Sequence, residues 1–343
     1  MTVVSFLDQG PVSEATGPSQ SHHESVRLAQ LAEELGYVRY WVAEHHGVAN
    51  MAIAAPEIMI GHIANRTSTI RVGAGGIMLP NHTPLHVAEQ FRTLETLHPG
   101  RIDLGIGRST GTGDDPTKDA LLRYPDAIER FAEHLTQLLA VGRGHGTGSP
   151  DSYGLRTASP SDAVLPEVFV LGSSVNSARF AGAAGLGYAF FCVNQRDERA
   201  VDALRSYRAA FVPAIPGARP RGVLALRVWV GDDQEHAEAL AASERLAVLD
   251  YLAGTPKVLE PMDAALRRKL TAEQWAISQS LDMTSDLVGG VEPVRQRLAS
   301  LLDRTGADEV IAISNIHDPA ERRGCLRRLA EAAADLVAGS ALV

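Results

Sequence analysis

The chain has 343 residues, of which 45% are hydrophobic and 21% are charged, and its formal net charge at pH 7 is -9. This composition supports a large folded core and excludes a chain that is mostly disordered. The excess of acidic residues argues against nucleic-acid binding, because contact with a phosphate backbone requires clustered lysine and arginine.

The amino-terminal residues and the cysteines indicate where the protein works. An acidic residue, Asp8, appears early, and no basic segment precedes an apolar run as it does in a secretion signal. No apolar stretch is long enough to cross a bilayer. Cys192 and Cys325 are too few for a disulfide framework, which is typical of a reducing compartment. We therefore expect a cytoplasmic protein that does not bind membranes.

Short segments of strand-forming residues alternate with longer segments of helical period along the chain. This order is typical of a parallel sheet in which a helix follows each strand. Several strand segments are apolar without alternation, as expected for parallel strands buried on both faces. Eight strands are predicted, at residues 3–7, 38–43, 70–75, 101–105, 168–171, 187–192, 223–230 and 309–314. The pattern predicts an α/β fold, a (β/α)8 TIM barrel, that forms a single domain over residues 1–343.

The helical segments have apolar residues three and four positions apart. The first of them is followed by Gly36, a residue placed to end the helix, and the last is predicted over residues 319–336. Two segments interrupt the alternation, residues 142–166 and residues 231–290. Because insertions on a barrel usually shape the substrate pocket, we expect these two to form lid and specificity elements.

Residues directly after the strands are the candidates for chemistry, because the active sites of such barrels lie at the carboxyl ends of the strands. Four of the predicted strands are followed by polar residues or glycines. The candidates are Glu44, His45 and His46 after the second strand; Gly75, Gly76 and Ile77 after the third; Arg108 after the fourth; and Ser173, Ser174 and Ser177 after the fifth.

The segment after the fifth predicted strand has the features of an anion site. Gly172, Ser173 and Ser174 lead into a helix, so that free backbone N–H groups and hydroxyls collect at a helix N-terminus. Arg108, at the end of the adjacent strand, can add a two-pronged contact. The alternative is that the serines only cap the helix, which is common. Together these residues predict a phosphate site.

The Gly75-Gly76 pair has two explanations at the level of sequence. The backbone there either comes close to a flat ligand or adopts a conformation barred to other residues. A tight packing turn explains the pair equally well. The sequence leaves both explanations open.

His45 and His46 could in principle bind a metal ion. A metal site in a barrel needs further histidine, aspartate or glutamate ligands at neighbouring strand ends, and no such set is seen in the sequence. Adjacent residues at the end of a strand also point apart. We therefore expect no metal, and the Glu44-His45-His46 triplet stays open to a proton relay or a structural role.

The segment from Gly107 to Gly111 formally matches the nucleophile elbow of α/β-hydrolases, with Ser109 as the nucleophile. The elbow requires a helix to begin at once, whereas a loop composition follows here. A serine hydrolase also leaves the Glu44-His45-His46 triplet without a role. The sequence keeps this hydrolase only as a minor alternative.

The strand-end segments, in this order, resemble the luciferase-like family of flavin-dependent monooxygenases, which includes bacterial luciferase. The resemblance covers nearly the whole chain, and the ordered set of segments is more specific than any one of them. The segments that carry it are residues 40–46, 72–80, 89–90 and 98–108, with weaker support from residues 172–174 and 288–290.

The resemblance implies a barrel that binds reduced FMN. It places the phosphate near Arg108, Ser173, Ser174 and Ser177, and the isoalloxazine ring against Gly75 and Gly76, where the family often has a cis peptide bond. His45 matches the family's catalytic histidine, which assists proton transfer and stabilises the oxygen adduct of the flavin; Glu44 and His46 would orient it or line the pocket. Ile77 follows the glycine pair and is assigned to the same cofactor site.

The resemblance also implies partners. A separate NAD(P)H-dependent flavin reductase would supply the reduced FMN, because the glycines here lack the spacing of a dinucleotide fingerprint. The family is commonly dimeric through outer helices, so we expect a homodimer. Gly107 stands where bacterial luciferase has a reactive cysteine, which disfavours light emission rather than oxygenation.

The expected function is a two-component monooxygenase that uses reduced FMN and O2 to oxygenate an organic substrate, possible substrates being secondary metabolites such as aromatic polyketides. One alternative within the same fold is an oxidoreductase that uses the deazaflavin F420. Another is a flavin-binding protein without catalytic activity, although both His45 and Arg108 are present.

Overall fold

The computed structural model describes residues 3–142 and 158–336. Its centre is a closed barrel of eight parallel strands, because the strand order β6-β5-β4-β3-β2-β1-β9-β7 is closed by pairing of β6 with β7. The strands are β1 Val4–Asp8, β2 Arg39–Val42, β3 Arg71–Met78, β4 Ile102–Gly107, β5 Glu167–Gly172, β6 Gly187–Phe191, β7 Gly222–Val230, β8 Leu287–Gly289 and β9 Glu309–Ile313. The predicted TIM barrel is confirmed.

The described residues contain one strand more than predicted. Strand β8 has three residues and pairs with the end of β7, from Val228↔Leu287 to Val230↔Gly289, beside the closed ring. The barrel strands themselves are apolar because both their faces are covered: all nine residues of β7 are buried.

Helices cover the outside of the barrel. Five of the described helices, α1, α2, α3, α4 and α12, have proline at one of their first two positions, where a backbone N–H would have no partner within the helix. The helices are α1 Pro18–Glu34, α2 Pro56–Arg66, α3 Pro84–Leu97, α4 Asp115–Leu121, α5 Phe131–Gly142, α6 Val175–Ala183, α7 Asp197–Ala210, α8 Gln234–Leu252, α9 Met262–Arg267, α10 Ala272–Ser280, α11 Val291–Thr305 and α12 Pro319–Ala332. None of the helices in the two described stretches is long and apolar enough to cross a membrane.

The amino-terminal end of the barrel is filled by a buried ion cluster. Arg39 is completely buried, and its guanidinium donates to Asp103 Oδ2 and to Glu309 Oε1, each at 2.7 Å. The same guanidinium lies 5.1 Å from the centre of the Phe169 ring. Because the two carboxylates belong to β4 and β9, the cluster connects three strands that are distant in the sequence.

The predicted insertion at residues 231–290 folds into α8, α9, α10 and β8. The end of α8 is fixed by Asp250, a buried residue whose carboxylate accepts from Arg268 at 2.7 Å and from Gln274 at 2.7 Å. Of the other predicted insertion, residues 142–166, the stretch 143–157 lies outside the described residues.

Candidate functional site

A cavity of about 1160 Å³ opens at the carboxyl ends of the strands. Its wall includes residues at the carboxyl ends of β1 to β6 or just after them, and is completed by the last turns of α8. Ligand pockets commonly have about 300 to 1,000 Å³. The cavity therefore has room for a large cofactor together with a second molecule.

The floor of the cavity contains a bulge in β3. The pairing of β3 with β4 shifts between Ala74 and Ile77, and the peptide bond between Gly75 and Gly76 is cis, as the resemblance implies. A β-carbon at Gly75 would lie 2.7 Å from Leu7 Cδ1, and one at Gly76 would lie 2.7 Å from the Gly105 carbonyl oxygen. Close packing therefore leaves no space for a side chain at either position, and the cis bond is a backbone conformation that most residues avoid. Approach of a flat ligand to this backbone stays a prediction.

The two glycines differ in their relation to the cavity. Gly75 lines it, whereas Gly76 and Ile77 are outside the lining, and Gly76 lies against the Gly105 backbone. Ile77 is buried against the core. The contact surface offered to a flat ligand by β3 is thus the backbone at Gly75, with the side chain of Met78 beside it.

The serine segment both caps α6 and lines the cavity. Ser174 is the N-cap: its Oγ accepts from Ser177 N at 3.2 Å, and the Ser177 hydroxyl closes a capping box and lies 3.0 Å from the Tyr188 hydroxyl. Ser173, Ser174 and Ser177 all line the cavity. The two explanations of this segment are therefore compatible, since a capped helix still directs its first N–H groups toward the cavity.

Arg108 and Ser173 are the groups at this end that are left open to a ligand. Both are exposed and line the cavity, and neither side chain has a hydrogen-bond or ion-pair partner within residues 3–142 and 158–336. A cation and a hydroxyl without internal partners, next to a helix N-terminus, form a suitable donor set for a phosphate group.

His45 lies on the cavity wall in its neutral form. Burial lowers the pKa of its imidazole to about 4, although the nearby Glu44 carboxylate acts in the opposite direction. Nδ1 is buried and has no hydrogen-bond partner among the described residues, so Nε2 is the nitrogen left accessible. A neutral imidazole can accept or donate a proton at a ligand without bringing a charge into the cavity.

Glu44 and His46 do not line the cavity. Glu44 is completely buried, and its Oε1 accepts from His46 Nε2 at 2.9 Å and from His82 Nε2 at 2.8 Å, while Oε2 accepts from Met78 N at 2.8 Å. Burial alone would raise the pKa of Glu44, but the hydrogen bonds from His46 and His82 and from the Met78 backbone hold it at about 2. Glu44 therefore supports the floor from behind as a permanent carboxylate.

Several residues of the site were not predicted from the sequence. Gln9, which follows β1, and Asn194, which follows β6, line the cavity, as do Asn50 and Tyr251. The first two could have been found by the strand-end rule, because they stand just after predicted strands. His82 stands in the segment after the third predicted strand, but the rule does not show that it contacts Glu44, which is 38 positions away in the sequence.

The Ser109 segment forms a loop, as its composition indicates. Helix α4 begins only at Asp115, and the Ser109 hydroxyl accepts from Gly111 N at 3.2 Å. Gly111 has a φ of 71°, and a β-carbon there would lie 2.6 Å from the Glu44 carbonyl oxygen. The sharp strand-to-helix turn of a hydrolase elbow is therefore missing at this position.

The residues present fit a flavin mononucleotide. Arg108 and the serine segment match a phosphate, the backbone at Gly75 lines the cavity without a side chain, and the accessible nitrogen of His45 lies on the same wall. These three features belong to a single cavity, in the order of strands β5, β4, β3 and β2.

Comparison with known proteins points to one family. The family model described as luciferase-like monooxygenase matches residues 1–309. A luciferase-like monooxygenase of Escherichia coli (strain K12) is 36% identical over 322 residues, which cover 92% of both chains. The N-acetyl-S-alkylcysteine monooxygenase of Bacillus subtilis (strain 168) is 31% identical over 340 residues, covering 97% of this chain and 98% of that one.

Solved structures agree in fold. The crystal structure of apo-MsnO8 has a TM-score of 0.85 and 37% identity, and the match covers 97% of this chain and 98% of that one. The oxygenating constituent of 3,6-diketocamphane monooxygenase from Pseudomonas putida, in complex with FMN, has a TM-score of 0.73 and 18% identity, and the match covers 99% of this chain and 100% of that one. An F420-dependent secondary alcohol dehydrogenase has a TM-score of 0.65 and 14% identity, and the match covers 97% of this chain and 99% of that one. The last two are similar in fold alone.

Proposed function

The chain belongs to the luciferase-like monooxygenase family, and on this basis we propose that it uses reduced FMN and O2 to oxygenate an organic substrate. The observation that carries the proposal is the single cavity in which Arg108, the serine segment, the Gly75 backbone and a neutral His45 lie in order. When bound, reduced FMN supplies the electrons with which dioxygen is activated.

The side chains have separate roles in this proposal. Arg108, Ser173 and the N-terminus of α6 bind the phosphate, and Ser174 and Ser177 keep the helix end in place through their capping box. His45 offers Nε2 to the reacting atoms and holds or moves a proton there. Glu44 and His46 position the segment that carries His45, since Glu44 is bound to both sides of the cavity floor.

The wall beyond Ser177 favours FMN over F420. It consists of Phe131 and Phe180, whose ring centres are 6.2 Å apart, with the Glu129 carboxylate beside them. The F420 phosphate continues into a tail of carboxylates, which would meet this apolar and acidic wall. FMN ends at its phosphate and avoids it.

Helix α8 supports a reaction that excludes water. Its residues Ala247, Val248, Tyr251 and Leu252 line the cavity and present mainly apolar groups. Closing a site in this way strengthens hydrogen bonds within it and prevents side reactions with water. This is a role that a protein which merely binds flavin does not require.

The proposal includes two partners. A separate NAD(P)H-dependent flavin reductase provides the reduced FMN, and a second copy of the chain packs on the outer helices. The second is supported by Ile58 on α2, which is 69% exposed, and Leu97 at the end of α3, which is 66% exposed. Light scattering gives the mass in solution, and a coupled assay with and without a reductase tests the first.

We propose two classes of substrate. The name of the Bacillus relative suggests thioethers, and tailoring of secondary metabolites such as aromatic polyketides is the second class that we propose.

Anaerobic titration with photoreduced FMN, followed by rapid mixing with O2, tests the function directly. We expect saturable binding and then a transient absorbance that differs from both reduced and oxidised FMN. Tight binding of F420 without binding of reduced FMN would overturn the proposal in favour of hydride transfer. Binding without any transient would favour the non-catalytic alternative.

A further inference from the structure

The cavity has two sides that differ in charge. Among the described residues of its lining, the charged ones are Arg108, Asp115, Lys118 and Glu129, which all follow β4. The other side, formed by the ends of β1 and β6 and by α8, is lined by neutral groups within the described stretches. With the phosphate held between β4 and β5, this neutral side is the part of the cavity left for a substrate.

Gln9 is the polar side chain at the base of the neutral side. It follows β1 directly, is 8% exposed and lines the cavity. Its Oε1 accepts from Asn315 Nδ2 at 2.6 Å. Its Nε2 has no partner within the described residues and is not enclosed by protein, so this N–H₂ group faces the cavity.

The orientation of the Gln9 amide is set by two residues behind it. Asn315 Nδ2 donates both to Gln9 Oε1 and to Glu244 Oε1, the latter at 3.0 Å, and Glu244 Oε2 accepts from Asn315 N at 2.9 Å. An ionised carboxylate can only accept, so Asn315 must turn its N–H₂ toward Glu244. The second hydrogen of that group then needs an acceptor, which turns the Gln9 carbonyl inward and its N–H₂ outward.

These three residues form a chain that leads from the interior to the cavity. Glu244 on α8 and Asn315 after β9 are buried and neither belongs to the cavity lining, so they act on a ligand through Gln9. Burial raises the pKa of Glu244 to about 7, and the carboxylate is therefore ionised at pH 8. The chain fixes a hydrogen-bond donor at a place where the lining carries no charge.

We propose that the neutral side is the substrate subsite, that it takes an uncharged group carrying a hydrogen-bond acceptor, and that Gln9 donates to that acceptor. Asn315 and Glu244 are positioning residues for Gln9. The assignment of the subsite rests on the proposed function, because bound FMN defines which part of the cavity remains. A carboxylate there would face no cation in the described lining, so an ionised substrate group must point to the mouth.

Three thioethers test separately whether the subsite requires a neutral group and whether it requires a hydrogen-bond acceptor. The methyl ester of N-acetyl-S-butylcysteine is neutral and has carbonyl groups that accept hydrogen bonds. The free acid has such acceptors together with a negative charge. Butyl methyl sulfide has no charge and no carbonyl acceptor. Their affinities are measured by calorimetry at pH 8, with and without oxidised FMN, after FMN binding has itself been measured. The variants are Gln9→Leu, Glu244→Gln and, as a control, Gln30→Leu, which makes the same change at an exposed residue of α1.

We expect the ester to bind more tightly than the acid. Gln9→Leu should weaken the affinity for the ester about threefold to tenfold, as expected on loss of one hydrogen bond, and leave the affinity for the sulfide unchanged. Glu244→Gln replaces an acceptor by a donor, which reverses the Asn315 amide and turns the Gln9 carbonyl to the cavity. This variant should therefore also bind the ester more weakly. Its thermal midpoint shows that the protein is folded. Gln30→Leu should change nothing.

Three results would overturn the proposal: an acid that binds as well as the ester, an ester whose affinity is the same in Gln9→Leu and Gln30→Leu, or no binding of the ester to protein that binds FMN. Failure of FMN itself to bind is a different result and counts against the proposed function. In that case the ester measured without FMN still reports on Gln9.

Discussion

Nε2 of His82 lies 2.8 Å from Oε1 of Glu44, although 38 positions separate the two residues in the chain. Burial would lower the pKa of His82, but the hydrogen bond from its ring to Glu44 raises it. Through this contact and the bond from Met78 N, the end of β2 is joined to the segment just beyond the glycine bulge. The geometry of the cavity floor therefore depends on a carboxylate that no ligand touches.

Replacing Glu44 with glutamine should lower the free energy of unfolding at pH 7 by about 2 to 3 kcal/mol, because hydrogen bonds to a charged group are lost. The pKa of Glu44 is about 2 in the folded protein and ordinarily 4.5. Its contribution to stability is thus complete above about pH 4.5 and lost as the pH falls through 2. Denaturant unfolding from pH 2.5 to 7, with the exposed Glu34→Gln as control, measures it; equal pH dependence of the two variants would contradict the role of Glu44.

His45→Ala should shorten the lifetime of the transient absorbance that follows mixing of bound reduced FMN with O2, and should leave the affinity for FMN nearly unchanged. The reason is that His45 offers its accessible Nε2 to the reacting atoms and lies away from the phosphate residues. Since its pKa is about 4, His45 should add no step to the pH profile of the decay between pH 6 and 8. Stopped-flow spectroscopy measures the decay, and an unchanged lifetime would remove His45 from the mechanism.

Arg108→Ala should weaken FMN binding by about 1 to 3 kcal/mol, as expected on losing a charge-assisted contact. Riboflavin, which has no phosphate, should bind the variant as it binds the parent protein. Fluorescence titration gives both affinities. The control is Arg205→Ala, at a side chain on α7 that is 74% exposed. A variant that still prefers FMN to riboflavin to the same degree would place the phosphate elsewhere.

Tyr251→Ala should make flavin enter and leave faster, with a smaller change in equilibrium affinity. The Tyr251 hydroxyl on α8 lies against the backbone of Gly113, so close that a β-carbon there would collide with it, and both residues line the cavity. The contact therefore joins α8 to the loop after β4. Stopped-flow association rates test the effect. Trp275→Ala is the matched control, because this exposed aromatic on α10 is not part of the cavity lining; the same rates in both variants would refute a gate at Tyr251.

Glu244 should make the protein less stable as the pH rises. Burial raises its pKa from 4.5 to about 7, despite the opposing charge of Arg227 and with a further upward contribution from Asp286. A proton is bound more tightly in the folded state, so stability falls from about pH 4.5 to about pH 7, by about 1.4 kcal/mol per pH unit. Glu244→Gln should lose this slope, and the exposed Glu235→Gln on the same helix should keep it; identical slopes would show that Glu244 is ionised throughout.

The strands of the barrel could be predicted because each is an apolar run that ends in a glycine or a polar residue. The differences between the predicted and the observed elements concern single strands and helices. Strand β3 was expected to end at Gly75 but continues through the bulge to Met78, since two glycines in sequence look like a turn. Strand β8 has only three residues, too few for a pattern. Helix α8 carries buried Glu244 and Asp250 on a face that would otherwise read as solvent-exposed.

The site could be predicted in part. The strand-end rule identified His45, Gly75 and Arg108, which the structure brings into one cavity. It could not separate them from Glu44 and His46, whose side chains turn away, because the direction of a side chain beyond a strand depends on the loop that follows. The rule also does not show which distant partner a buried carboxylate finds, as Glu44 finds His82.

The buried cluster of Arg39, Asp103 and Glu309 has a consequence for how the chain is made. Glu309 is 270 positions from Arg39, so the guanidinium receives its second carboxylate only after nearly the whole polypeptide has left the ribosome. Until then Asp103 is the carboxylate partner of the guanidinium, and the Nε–H that Glu309 accepts from lacks this acceptor. Removing one partner from a buried ion cluster costs about 3 to 5 kcal/mol. Because β9 itself lies between β1 and β7 in the ring, we expect completion of the ion cluster and closure of the barrel to coincide in the completed chain.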